Sequence, residues 1–361
     1  MRMQRVWGAL CLAAVSAVLL CMSAVSAHGE SDKLVVRVMT RNVDAGTDFN
    51  YFAGVETEKA FQDAVLATIG EVLQSRIPER AHLLAAEIAS AKPDLIALQE
   101  VTTWEFAGGP RLDQLELLME ALRAARQSYR VAVVQKLSEL EVPDAVTFID
   151  HDVILIRADL PPGHLEVLGT ETHRYDTLMD FPLPGGAMPI LRGWIAADGK
   201  IRGARFKFVT THLESAVAGI PDTADLQLAQ ARQLVRSLAK TDLPVILAGD
   251  FNSDAEHTNN YPADNTDTAG YIAGSAYSDS WQTLHRCCPG YTWLLFWEDT
   301  LTGTAVQPLE RIDLIFSRGP EVSSVERTGL NPDQSGLYAS DHAGVVATFV
   351  LSNSRPDNPK K

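Results

Sequence analysis

The apolar positions of the chain fall into two patterns. Short continuous runs of aliphatic, often β-branched residues occupy Leu34–Met39, Leu95–Leu98, Val245–Ala248, Ile312–Phe316 and Ala343–Leu351. Bounded by polar or turn residues, such runs predict buried strands. Arg130–Val134 and Val146–Arg157 read as further strands, the second interrupted by Asp150-His151-Asp152. Val55–Gln74, Arg80–Ser90, Arg111–Gln127 and Asp222–Ala239 carry apolar residues at helical spacing, and Pro78 breaks the first pair. Ile190–Ala196 and Arg202–Thr210 predict a hairpin around Asp198-Gly199, a strong turn pair. Ala255–Asp279, rich in Asn, Asp, Thr and Gly, reads as a surface excursion with one helix inside. Trp293–Trp297 is a bulky apolar block that suits either a buried strand or a lipid-surface contact. No repeat, long linker or composition break follows residue 30. A single domain over 31–352 with a polar tail at 353–361 is the simplest reading.

Polar residues gather where these strands end. Leu34–Met39 runs into Thr40-Arg41-Asn42, Leu95–Leu98 into Gln99-Glu100, and Arg202–Thr210 into Thr211-His212-Leu213-Glu214. Val245–Ala248 stops at Gly249-Asp250-Phe251-Asn252. Strand side chains alternate in direction, so Asp250 and Asn252 point the same way. Burying an unpaired carboxylate there is costly, so a metal ion, a base or a water is expected beside it. An Asx-type turn would also use the Gly-Asp-Phe-Asn sequence. Asp313 is one acid inside the otherwise apolar run Ile312–Phe316, and Asp341 and His342 stand just before the last strand. Strand ends gathered at one rim of a sheet are where α/β proteins place their chemistry. Carboxylates with one amide form a hard, oxygen-rich site suited to Mg2+ or Mn2+ rather than zinc, and two histidines can do acid–base work.

Composition narrows this further. A chain of 361 residues with 46% hydrophobic residues can bury a large core. Residues 1–27 have the form of a removable signal peptide: Arg2 and Arg5, an apolar Gly8–Met22 and a small-residue Val25-Ser26-Ala27. The alternative is an uncleaved membrane anchor. Cleavage implies a secreted or periplasmic protein without a stable anchor, expected as a monomer. Loss of the two arginines would take the net charge of −15 to −17. No Lys or Arg run is present, so non-specific nucleic-acid binding through a basic face is not supported. Divalent cations at the site would still allow a nucleic-acid substrate. After cleavage only Cys287 and Cys288 remain. They can pair with each other, as a strained bridge, or with another chain, or stay as two buried thiols.

The motifs TRNV (40–43), LQE (98–100), THLE (211–214), GDFN (249–252), RIDLIF (311–316) and SDH (340–342) resemble, in this order, those of the endonuclease/exonuclease/phosphatase superfamily. That group includes pancreatic-type deoxyribonuclease, apurinic endonucleases, inositol polyphosphate 5-phosphatases and bacterial sphingomyelinases. The resemblance covers 34–351; the opening motif and the paired cysteines are similar to a little-characterised secreted bacterial branch. It implies a four-layer α/β sandwich, two packed mixed β-sheets with helices on both outer faces. It also implies roles. Glu100 would be the main metal ligand, with Asn42 and Asp341 completing the metal environment directly or through water. Asp250 would orient or deprotonate the attacking water, and Asn252 would hold a phosphate oxygen. His342 and His212 would be the catalytic histidines, with Asp313 fixing an imidazole tautomer. Asp150-His151-Asp152 departs from relatives, which commonly carry small or neutral residues there. A divalent-metal-dependent phosphodiesterase acting on nucleic acid or a phospholipid head group follows as the expected activity. A sphingomyelinase-type phospholipase C is one alternative, and a non-catalytic binding or toxin-like module on the same fold is another.

Overall fold

The computed structural model describes residues 34–215, 222–258, 266–295 and 308–352. The expected signal peptide and C-terminal tail lie outside the described residues. The chain opens in β1 (Leu34–Asn42), makes a 3-10 turn at Asn50–Phe52 and enters α1 (Glu58–Gln74) and α2 (Ile77–Ala91). Pro78 falls in the first turn of α2, where its missing N–H breaks no helical hydrogen bond, so it starts a helix. β2 (Leu95–Gln99), β3 (Thr103–Phe106) and β4 (Arg111–Asp113) lead to α3 (Gln114–Ala124). The helix expected from Arg111 starts later because Asp113 caps it, accepting from the Glu116 N–H at 2.9 Å.

A long β region follows: β5 (Tyr129–Val142), β6 (Val146–Arg157), β7 (Glu166–Arg174), β8 (Met179–Leu183), β9 (Gly186–Ile190), β10 (Gly193–Ile201) and β11 (Ala204–His212). The remainder is α4 (Thr223–Leu238), β12 (Val245–Asp250), α5 (Thr268–Gly274), β13 (Ser278–Asp279), α6 (Ser280–Leu284), β14 (Asp313–Arg318), β15 (Glu321–Thr328) and β16 (Gly344–Leu351). Among the described residues no helix is long and apolar enough to cross a membrane.

Two mixed sheets carry the fold. One is ordered β15-β16-β1-β2-β6-β3-β4, with β5 also on β6; the other is β13-β14-β12-β11-β10-β7. β1 and β2 are parallel, as are β11 and β12. Helices cover the outer faces. Ile88 of α2 and Leu118 and Leu122 of α3 join Met39, Ile96 and Val346 in one core. Leu234 of α4 and Ile272 of α5 join Val209, Leu247 and Phe316 in another. The expected sandwich is therefore the observed architecture.

The hairpin is displaced from its predicted turn. Ile201 pairs with Ala204, so the turn is Arg202-Gly203, both with positive φ (46° and 98°). Asp198-Gly199 stays inside β10. Lys207 Nζ reaches Asp198 at 2.7 Å, and a Cβ on Gly199 would meet Phe206 Cζ at 2.4 Å. Cross-strand packing overrides the local turn preference here. Nor do Asp150-His151-Asp152 interrupt β6: Gln135 pairs with Asp152 and Lys136 with His151 across to β5.

The interior between the sheets turns polar towards one rim. Gln99 Nε2 of one sheet donates to Thr210 Oγ1 of the other at 2.8 Å, and Gln99 Oε1 accepts from Thr40 Oγ1 at 3.2 Å. Asp152 is fully buried, and neither carboxylate oxygen has a hydrogen-bond partner among the described residues. Burial, then the nearby Asp150, push its carboxyl well above the ordinary range, against the opposing pull of Arg192. An acid raised in this way favours folding below the unfolded carboxylate pKa and loses that contribution as pH rises towards the folded value. Asp152→Asn, measured in EDTA, should therefore gain melting temperature over wild type, with the gain growing from pH 4 to pH 8. A pH-independent difference would contradict the assignment. Gly249 marks a second constraint, since a Cβ there would lie 2.1 Å from the Thr211 carbonyl oxygen. Gly249→Ala must separate β11 from β12 and should cost about 3 kcal/mol or more. Gly203→Ala has no atom within 4 Å. It should cost only the left-handed backbone penalty, about 1–2 kcal/mol. Urea midpoints for the two variants test this, and equal losses would count against it.

Candidate active site

Strand register assembles the site. In the second sheet His212 pairs with Asp250, and Asp250 pairs with Asp313, so the three stand abreast at the ends of β11 and β12 and the start of β14. In the first sheet Asn42 pairs with Gln99, which places Glu100 directly beyond the end of β2. Glu100 and Asn252 both have left-handed backbone, φ 57° and 47°, and so turn sharply as their strands end.

Asn42 joins the two sheets. Its Nδ2 donates to Glu100 Oε1 at 2.8 Å and to Asp250 Oδ2 at 3.0 Å, while its Oδ1 accepts from the Asp44 N–H at 2.9 Å. Glu100 Oε2 accepts from the Ala45 N–H at 2.9 Å. The neighbouring Arg41 is fully buried; it pairs with Glu87 at 3.2 Å and donates to the His342 carbonyl at 2.5 Å. Ser340 Oγ donates to the Asn42 carbonyl at 2.9 Å and accepts from the His342 N–H at 3.1 Å. The first and last motifs of the chain are thus bonded directly to each other.

His342 Nδ1 lies 2.8 Å from Asp313 Oδ2, the expected buttress. Asp250 Oδ2 lies 3.8 Å from both His212 Nε2 and His342 Nδ1, and Asp250 Oδ1 accepts from the Asn252 N–H at 2.9 Å. Asn252 Nδ2 donates to the Leu213 carbonyl at 2.9 Å, which leaves one amide hydrogen for another acceptor. These side chains face a cavity of about 510 Å3, lined among others by Glu100, His212, Asp250, Asn252, Asp341 and His342. Asn42 and Asp313 stand behind its wall, holding residues that line it.

Electrostatics separates the two imidazoles. Burial opposes a charge on His342, but Asp313 and Asp341 outweigh it and raise the ring well above the usual histidine value. Burial, with Arg192 and His342 adding to it, lowers His212 well below that value and disfavours its charged form. Burial and then Asp341 push Glu100 up to about 7. Burial and then Asp313 push Asp250 to about 6, while His342 and Asn42 oppose the rise. Ligand atoms of Glu100, His212 and Asp250 all lie within 4.8 Å of one another. Two carboxylates and one imidazole this close, with carboxyls costly to ionise in the protein alone, fit a divalent cation.

Several cavity residues carry no motif signal. Trp293 Nε1 donates to Asp341 Oδ2 at 3.0 Å, and Leu294 and Leu295 are buried. The described part of the Trp293–Trp297 block is therefore wall and core, joined by a single bridge from Trp293 to Glu310, and not a strand. Asp44, paired with Arg80 at 2.8 Å, and Arg192, 3.6 Å from Glu214, also line the cavity. Asp44 could have been found from its spacing to Asn42. Arg192 stands in an unremarkable stretch and could not.

Residues 73–342 match the model of the Endonuclease/Exonuclease/phosphatase family. A search of curated proteins finds no match. Among solved structures, D. rerio TDP2 complexed with single strand DNA product is similar at 18% identity and a TM-score of 0.55, covering 87% of this chain and 98% of its own. The human Nocturnin catalytic domain with bound sulfate anion is similar at 17% identity and TM-score 0.53, covering 89% and 96%. A family protein from Beutenbergia cavernae reaches 22% identity and TM-score 0.54, covering 88% and 72%. At these identities the structures establish the shared fold, and the family match establishes membership. The chain belongs to the Endonuclease/Exonuclease/phosphatase family.

Proposed function

We propose that this protein is an exported, divalent-metal-dependent phosphodiesterase that hydrolyses its substrate by in-line attack of water. Members of the family are typically hydrolases acting on phosphoesters and depend on divalent metals. The observation that carries the proposal is Asp250 set between two imidazoles, 3.8 Å from each, with Glu100 beside it in one cavity.

Each residue then has a task. Asp250, raised to about 6, is poised to orient a water and accept its proton near neutral pH. Protonated His342, held at Nδ1 by Asp313, presents Nε2–H to a phosphoryl oxygen as negative charge builds. Neutral His212 supplies a second hydrogen bond without adding charge. Asn252 offers its remaining amide hydrogen to another phosphate oxygen. Glu100 would hold the ion, with Asp341 on the same cavity wall and Asn42 fixing the Glu100 carboxylate. The ion, when bound, would offset phosphoester charge and polarise its oxygen.

A compact phosphodiester suits this cavity better than a long nucleic acid. Arg192 is the one Arg or Lys among the cavity's described lining residues, and acids outnumber it. The chain has no basic run to track a polyanion. A lipid-surface role for Trp293 loses support, because its indole is turned to Asp341. Short nucleic acid and a phospholipid head group both remain within the proposed class.

Glu100→Gln keeps the shape but removes the charge, so divalent binding and turnover should fall together. Calorimetric metal titration and assays on DNA, RNA, sphingomyelin, inositol phosphates and bis-p-nitrophenyl phosphate, with and without EDTA, measure both. Wild-type turnover by this variant in EDTA would refute the metal role. Asp313→Asn should lower kcat at least about tenfold, because the carboxylate that holds the His342 ring and favours its cationic form is lost. A lowered melting temperature with unchanged kcat would remove Asp313 from the mechanism.

A further inference from the structure

The geometry points to Cys287 and Cys288 as a reversible redox site: a vicinal dithiol that a low-molecular-weight disulfide oxidises to an intrachain disulfide, altering the active-site wall through the Cys288–Trp293 segment. Both cysteines are exposed, which removes the alternative of two buried thiols, and their Sγ atoms lie 3.2 Å apart. The sequence has four cysteines, and Cys11 and Cys21 both lie in the expected signal peptide.

The backbone around the pair is pinned on both sides. Cys288 N–H donates to the His285 carbonyl at 3.1 Å, and Trp281 Nε1 donates to the Cys288 carbonyl at 2.8 Å. The His285 ring packs on Trp281 with centroids 4.5 Å apart, and its Nε2 lies 3.1 Å from the Val325 carbonyl. A Cβ on Gly290 would fall 2.3 Å from the Trp281 ring, so the segment lies tightly against the indole. Arg327 stacks over the same indole at 5.4 Å and donates to the Tyr291 carbonyl at 2.5 Å. The two thiols are thereby held side by side and open to solvent.

The chemistry balances. One cysteine thiolate attacks R–S–S–R, forming a mixed disulfide and releasing one RSH after proton uptake. The second thiolate attacks the protein-side sulfur of that mixed disulfide, forming the Cys287–Cys288 bond and releasing the second RSH. Two electrons and two protons leave the protein, and one disulfide is reduced to two thiols. Adjacent Cα atoms about 3.8 Å apart lie below the usual disulfide span, so the ring is strained and readily reduced. Strained, exposed disulfides are the labile kind, suited to switching rather than to stabilising a fold.

The segment beyond the pair reaches the catalytic residues. Thr292 Oγ1 accepts from the N–H groups of Ile312 and Asp313 at 3.3 and 3.2 Å, and the Thr292 carbonyl accepts from Ala343 at 2.7 Å. Trp293 then holds Asp341 at 3.0 Å. Closing the ring shifts backbone that is bonded, within five residues, to neighbours of His342.

Full-length protein carrying Cys11→Ser and Cys21→Ser, the background of every sample, should when reduced and treated with oxidised glutathione lose about 2 Da per chain by intact mass, with dithiothreitol reversing the change. Phenylarsine oxide, which bridges paired thiols, should label the reduced form one-to-one and leave the oxidised form unlabelled. A lasting glutathione adduct on the wild type, or a disulfide-linked dimer, would overturn the site. Amide exchange at 291–295 should change on oxidation in the wild type and stay constant in the Cys287→Ser/Cys288→Ser double variant. Exchange unaltered by oxidation would overturn the coupling. Neither readout depends on the proposed hydrolase activity.

Discussion

Two carboxylates from different sheets, half-buried Glu100 and buried Asp250, are held close by one amide, that of Asn42. Like charges at such a site repel, and burial raises the cost of ionising either one. The Asn42 carboxamide offsets part of this by donating to both, at 2.8 and 3.0 Å. Those bonds require the ends of β1, β2 and β12 to lie at one height on facing sheets. Much of the surrounding structure serves that alignment: Gln99 bonded across to Thr210, Arg41 bonded to the His342 carbonyl, and Ser340 to the Asn42 carbonyl. Gly249 allows the close approach of β11 and β12 that sets His212 beside Asp250.

The parts of this plan that follow from local chemistry could be read from the residues. Val245–Asp250 is a buried apolar run ending in an acid, and it is strand β12 ending in Asp250. Asp313, one acid in an apolar strand, demanded a partner and has His342 at 2.8 Å. Strand ends carrying Asn42, Glu100, His212 and Asp250 gather at one rim because parallel pairing aligns them.

What was hidden depends on tertiary contacts. β7 is largely exposed and carries no apolar run, so nothing in its pattern separates it from a loop; its pairing with β10 is what makes it a strand. Asp198-Gly199 has turn chemistry, yet Lys207 and the Phe206 ring hold it inside β10. Asn42, expected to complete the metal environment directly or through water, is bonded to Glu100, Asp250 and the Asp44 N–H, partners that its sequence neighbours do not reveal. Trp293 looked like a strand or lipid-facing residue because its partner, Asp341, is 48 residues away. Side chains that act through distant partners leave no periodic trace.

The same reasoning explains why two histidines in one cavity are driven in opposite directions. Both are buried, and burial alone would keep both neutral. His342 has Asp313 in hydrogen-bond contact and Asp341 nearby, so its cationic form is stabilised. His212 has Asp250 at 3.8 Å, without a hydrogen bond, and it feels Arg192 and the cationic His342. The charge on one ring helps to deny charge to the other. The cavity thus favours charge on one ring and disfavours it on the other, set by which acid each ring touches. Exchanging those partners would move the proton without moving either ring, so the division of labour belongs to the acids as much as to the histidines.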